Sequence, residues 1–239
     1  MIKIEDMIIY EDNHLMVVTK PYNMPVQEDE SKDEDLLTSL KKFIKERDNK
    51  PNNVFVGLVH RLDRPTGGVM VFAKTSKAAS RLSEQIKQLQ MTKKYLAVVF
   101  GEPKLKRATL KNYLMKDEAN NKVMVVPSAR LGAKEAILTY EVLETKENLS
   151  LISVDLETGR SHQIRVQMAN IGNSVIGDLK YGIKTKTKMN MALWAYNLKF
   201  YHPVTKELLN FIVYPPVEDK VWYKFNINGL LAVKNVTEE

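Results

Sequence analysis

The chain has 239 residues, 44% of them hydrophobic, and 36 Lys and Arg against 29 Asp and Glu give a net charge of +7. This length holds one large domain or two modest ones, and we read a single domain over residues 1–239 with a loose tail from about residue 230. The chain has no cysteine, which excludes disulfides and thiolate metal sites, and its four His are scattered, so neither a metal nor another cofactor is expected.

Near the N-terminus, acids interrupt every short apolar run, which fits neither a signal peptide nor a membrane span and points to the cytoplasm. The basic surplus suits a polyanionic partner. It gathers in residues 91–135 and in Lys180, Lys184, Lys186 and Lys188, which are candidate phosphate contacts. No exposed apolar stripe stands out, so a monomer is expected.

Residues 7–10 and 14–19 are Ile- and Val-rich runs separated by Glu11, Asp12 and Asn13 and read as paired strands. Pro21 and Pro25 end regular structure. Leu36, Leu37, Leu40, Phe43 and Ile44 follow helical spacing, with Asp33 or Asp35 as cap. Residues 54–59 and 68–73 are short strands, and a second helix starts at Ser76 with Ala79, Leu82, Ile86 and Leu89 on one stripe. Residues 95–100 are apolar on both alternating faces, the pattern of a strand buried on both sides. Residues 136–144 and 149–156 form a hairpin around Glu147, and 191–200 and 208–213 are further strands. Between them Ser161 caps a short helix that turns Ile164, Met168 and Ile171 inward and stops at Gly172. Many strands and few helices predict an α+β fold around a largely antiparallel mixed sheet flanked by helices and loops.

Reactive side chains are densest in HRLDRPTGG, where His60, Arg61, Asp63, Arg64 and Thr66 lie in a constrained loop between strands. Arginine neighbours would keep Asp63 ionised, although a salt-bridged surface turn explains a lone HRLD equally well. In GRSHQIRVQ, His162 and Arg165 are three residues apart and share a helix face, while Ile164 and Met168 take the apolar one. One face is thereby free for a polar site; alternatively His162 simply bonds a neighbouring carbonyl.

Five ordered pieces, HRLDRPTGGVMVFAK, KKYLAVVFG, GRSHQIRVQ, VIGDLKYG and LKFYHPVT, resemble the RluA branch of the RNA pseudouridine synthases. The resemblance runs from the first strands to about Pro216 and implies that fold and the isomerisation of uridine in a structured rRNA or tRNA, without cofactor. It implies that Asp63 is the catalytic aspartate and Arg165 the arginine that pairs with it. Tyr95 matches the tyrosine that packs on the target uracil, a role its apolar flanks would not suggest, since they read as core. Arg61 matches the arginine that enters the RNA stack. His60, Arg64, Thr66, His162 and Lys184 complete the candidate RNA contacts.

The pattern departs at Gly67, where relatives resemble a serine and where glycine would loosen the loop. It departs again at Trp194, in place of a frequent histidine, on an aromatic surface facing substrate. The chain also resembles short members that lack a small basic domain ahead of the catalytic one. Two other functions suit the same residues: a non-catalytic RNA-binding or ribosome-assembly protein on this scaffold, and a base glycosylase that releases free uracil.

Overall fold

A computed structural model describes residues 3–128, 131–183, 189–216 and 218–237. In chain order the elements are α1 (Ile4–Met7), β1 (Ile8–Glu11), β2 (Leu15–Lys20), α2 (Leu36–Arg47), β3 (Gly57–Leu58), β4 (Gly67–Ala73) and α3 (Ser76–Lys87). They continue with β5 (Thr92–Phe100), β6 (Arg107–Asp117), β7 (Lys122–Val126), β8 (Lys134–Lys146), β9 (Leu149–Leu156) and α4 (Gln163–Asn170). The last are β10 (Leu193–Tyr201), β11 (Leu208–Ile212), α5 (Lys220–Tyr223) and α6 (Ile227–Thr237). The α+β class expected from the sequence is the class observed.

The chain forms two compact units, Met1–Lys93 with Ala195–Val213, and Lys94–Trp194 with Tyr214–Glu239. In the first, strand order runs β1-β2-β4-β10, with β3 on β4 and β11 on β10. Leu15, Val17, Val69, Val71, Leu198 and Phe200 project from these strands onto Ala78 and Leu82 of α3, forming a buried core. Thr75 caps α3 by accepting the Ala78 N–H at 3.1 Å. Gln85 then pairs with both backbone groups of Tyr201, at 2.8 and 2.9 Å, as a strand neighbour would. On α2, the cap is Asp35, which accepts the Thr38 N–H at 2.9 Å, and Leu36, Leu40 and Ile44 form the fully buried stripe.

In the second unit, β5-β9-β8-β6-β7 is an antiparallel run of strands in which the β6–β7 and β8–β9 hairpins lie side by side. The hairpin of β6 and β7 falls in the stretch read only for its charge. Leu114 and Val123 on it pack with Ala136 and Val166, so the strands bury one face, while Arg107, Lys111 and Lys122 lie exposed on the other. β3 is shorter than the strand expected over 54–59. Where a loose tail was expected from about residue 230, the backbone is the helix α6, and Leu231 is buried. Its apolar residue supplies the burial that a solvated tail lacks. Among the described residues no helix is long and apolar enough to cross a membrane.

Candidate active site

Asp63 lies half-buried between β3 and β4. Leu62 beside it is buried and anchors the loop. The Thr66 N–H donates to the Asp63 carbonyl at 2.9 Å and closes a turn over Asp63–Thr66. Lys20, at the end of β2, donates from Nζ to the carbonyl of Arg64 at 3.0 Å. After the turn β4 begins, and its Gly68 has φ +126°; a Cβ there would land on the Ala195 backbone of β10. Only glycine meets both demands. Gly67, expected to loosen the loop, is instead a buried residue of β4.

The other loop residues divide. Arg61 is exposed. Arg64, expected as an RNA contact, is tied into the chain: Nε donates to the Asn23 carbonyl at 3.1 Å, Nη1 to Ser31 at 2.7 Å, and Nη2 pairs with Asp33. Thr66, also expected to meet RNA, is buried because its backbone closes the turn. The Nε2 of His60 accepts the Val71 N–H at 3.1 Å. Burial, helped by the charge of Lys93, lowers the His60 pKa to about 3. A neutral ring whose Nε2 is committed as an acceptor brings no positive charge to an RNA contact.

In the second unit Arg165 lies in the buried helix α4. Its guanidinium grips Asp178 with two hydrogen bonds, Nε to Oδ2 at 2.7 Å and Nη2 to Oδ1 at 2.8 Å. This is the fork geometry that fixes a planar cation in direction. Asp178 Oδ1 also accepts the amides of Lys180 and Tyr181 at 2.9 and 3.1 Å. Burial pushes the Asp178 carboxyl up, but the bonds and charge of Arg165 and the two amides more than offset it, leaving its pKa below the ordinary value. The Tyr181 ring lies against Arg165, with the guanidinium carbon 5.2 Å from the ring centroid. Its hydroxyl bonds His162 Nδ1 and accepts the Val123 N–H, both at 2.7 Å.

Helix α4 does not offer the free polar face expected of it: Gln163, Arg165 and Gln167 are as buried as Ile164 and Met168. The Gln167 amide reaches the Leu110 carbonyl at 3.1 Å and Asn112 Oδ1 at 2.7 Å, which bonds α4 to β6. His162 is the residue ahead of the helix, at φ 53°, and bonds Tyr181 rather than facing outward. Ser161 does not cap α4. Gln163 reaches back instead, accepting the Arg160 N–H at 3.0 Å and the Thr158 hydroxyl at 2.8 Å. Ile171, expected inward, is exposed because the helix has already ended.

Tyr95 is buried in β5, opposite Val154 of β9. Trp194 is only 4% exposed, so it is not the aromatic surface expected. Lys184, Lys186 and Lys188 lie outside the described residues. Among those described, no group of three His, Asp or Glu converges as a metal-ion site requires. Sequence reasoning missed Lys20, Asp178 and Tyr181. The last two stand in VIGDLKYG, where a lone acid after Gly177 in an apolar stretch was the available signal.

A family model described as RNA pseudouridylate synthase matches residues 14–170. The chain is 32% identical over 205 residues to the uncharacterized RNA pseudouridine synthase YhcT of Bacillus subtilis, covering 84% of this chain and 66% of that protein. It is 33% identical over 228 residues to ribosomal large subunit pseudouridine synthase D of Zymomonas mobilis, covering 91% and 71%. The chain spans about two thirds of the length of these curated relatives. Among solved structures, human RNA pseudouridylate synthase domain containing 4 shares the fold, with a TM-score of 0.75 at 23% identity over 89% of this chain and 90% of that one.

Proposed function

The chain belongs to the RluA-type branch of the RNA pseudouridylate synthase family, a family of isomerases, and from that premise we propose that it converts uridine to pseudouridine in structured RNA, with Asp63 as the reacting carboxylate. The observation that carries the reading is the Asp63 turn: an acid of the HRLD motif, half-buried, on backbone fixed by hydrogen bonds at its own carbonyl and the next. Fixed direction is what a nucleophile or base contributes beyond its charge.

The reaction breaks the bond from ribose C1′ to uracil N1 and re-forms it from C1′ to C5; the C5 proton leaves and N1 gains one. Atoms and electrons balance within the nucleotide. An ionised Asp63 serves either as nucleophile at the ribose or ring, or as base toward the ribose 2′ proton. The target base must leave its stack, which costs a few kcal/mol. We assign Tyr95 to pack on the uracil, Arg61 to fill the gap in the stack, and Arg165 to hold the charge of Asp63 in direction. The family match spans Asp63, Tyr95 and Arg165; we take the chain as a single catalytic domain and propose that it acts as a cytoplasmic monomer. Relatives from Buchnera and Zymomonas are named for the large ribosomal subunit, so rRNA is the first substrate to test, then tRNA.

The test uses rRNA and tRNA transcripts labelled with tritium at uracil C5, because isomerisation at C5 releases that label to water, and maps the product by sequencing. Asp63→Ala is expected to abolish release while RNA affinity persists. No pseudouridine on any RNA would sink the proposal, and free uracil by chromatography would replace it with a glycosylase.

A further inference from the structure

Lys20 is a wholly buried lysine, and lysine is almost never fully buried unless paired. Its Nζ bonds three backbone carbonyls: Pro21 at 2.9 Å, Met24 at 2.7 Å and Arg64 at 3.0 Å. An ammonium has three N–H donors. The charged form therefore satisfies every acceptor, and the neutral amine, with two donors, leaves one carbonyl bare. Pro21 and Met24 lie just beyond Lys20 in sequence, whereas Arg64 is 44 residues away. The Arg64 carbonyl belongs to the peptide that joins Arg64 to Pro65, and proline has no N–H. That carbonyl is thus the polar handle by which its peptide plane can be oriented.

We propose that Lys20 is a positioning residue for Asp63, its ammonium fixing the Arg64–Pro65 peptide plane, one residue past Asp63, and so the turn that sets the direction of the carboxylate. The proposal rests on the reading of Asp63 as the reacting group. Together with the Thr66 N–H on the Asp63 carbonyl, it gives the turn two independent fastenings. The charged groups that act on Lys20 are Asp63 and Arg64. Burial lowers its pKa most, Asp63 raises it and Arg64 lowers it, to about 7. The fastening is present below that pH and weakens above it.

Lys20→Met keeps the bulk and removes the donors. It is expected to lower kcat about tenfold to a hundredfold, the effect of a slightly misdirected reacting group, with KM for the RNA unchanged and the fold intact by circular dichroism. Because the chain has no cysteine of its own, Lys20→Cys can be unfolded, alkylated at one thiol with 2-bromoethylamine and refolded, which restores an ammonium at nearly the same reach. Recovered kcat, with its alkaline limb moved by the more acidic aminoethyl group, is the expected result.

A second measurement needs no turnover. In wild-type protein carrying carbon-13 lysine and nitrogen-15 amides, the Thr66 amide shift is expected to follow the titration of Lys20. A folded Lys20→Met with unchanged kcat, or a Thr66 amide blind to that titration, overturns the proposal. Wild-type protein that forms no pseudouridine would instead end the reading of Asp63, while the titration still decides whether Lys20 orders the turn.

Discussion

The turn that carries Asp63 and the helix that carries Arg165 are each fastened by a buried charge, and the two charges are treated in opposite ways. Lys20 hydrogen-bonds only neutral carbonyls, so burial, with Arg64 beside it, outweighs the charge of Asp63 and its pKa falls to about 7. Asp178 meets a guanidinium and two amides, so although burial pushes its carboxyl up, the net shift is downward. Burial alone therefore does not decide the state of a charged group; the formal charge of its partners does. The Arg165 site is locked in its ionised form, and the Asp63 turn is held by a group poised to change protonation near neutrality.

Backbone geometry gives the largest expected effect, and it belongs to the Asp63 side. Gly68→Ala would drive a Cβ into the Ala195 backbone at a positive φ, which neither strand can relieve. We expect a loss above about 4 kcal/mol in urea unfolding, in the range of severe single substitutions, or no folded protein. A fully folded, equally stable Gly68→Ala would show that β4 and β10 yield there. Next comes the Arg165 side. Arg165→Met leaves Asp178 buried without its cation, at a cost of about 3–5 kcal/mol, and Arg165→Met combined with Asp178→Leu should recover much of it. Failure of that recovery would mean that packing, rather than charge, locks the helix.

The contrast also sets the pH dependence of stability. Between about 7 and the 10.5 of a free lysine, the unfolded chain binds the Lys20 proton and the folded chain has released it, so stability rises with pH across that window. Lys20→Met should flatten the rise in a denaturant series. Asp178 acts elsewhere. Its folded pKa lies below 3.8, so its contribution is present above that value and is lost as pH falls through the folded one. Double substitution at Arg165 and Asp178 should remove this acid loss and leave the rise above neutrality untouched.

Local features of both regions were legible in the sequence. Strand periodicity placed the loop between β3 and β4, apolar runs marked β2, β4 and β5, and the HRLD loop stood out by its density of charge. The fastenings were not. Lys20 reads as the polar end of a strand, and its target Arg64 is 44 residues on; no local pattern announces a lysine that bonds carbonyls at that distance. Asp178 is 13 residues from Arg165, too far for the helical spacing that grouped His162 with Arg165. That grouping failed for a related reason: α4 begins at Gln163 and is enclosed on every side, so a three-residue spacing there describes no surface. The β6–β7 hairpin escaped because Lys111, Lys116 and Lys122 fall on both of its faces, and charge hid the alternation of Leu114 and Val123.

The smallest expected effect separates two arginines of one loop. Arg61 is exposed, whereas Arg64 already bonds the Asn23 carbonyl, Ser31 and Asp33. An arginine that binds a phosphate releases counterions, and its loss reduces the salt slope of RNA affinity by roughly one. An arginine paired within the chain is already neutralised, so RNA binding releases little more. Arg61→Ala should therefore flatten log K against log salt, and Arg64→Ala should leave the slope as it is. Stability should barely respond to Arg64→Ala, since exposed ion pairs contribute little. If both substitutions lower the slope equally, the ties of Arg64 open when RNA arrives, and the segment around Asp33 becomes part of the RNA-binding surface.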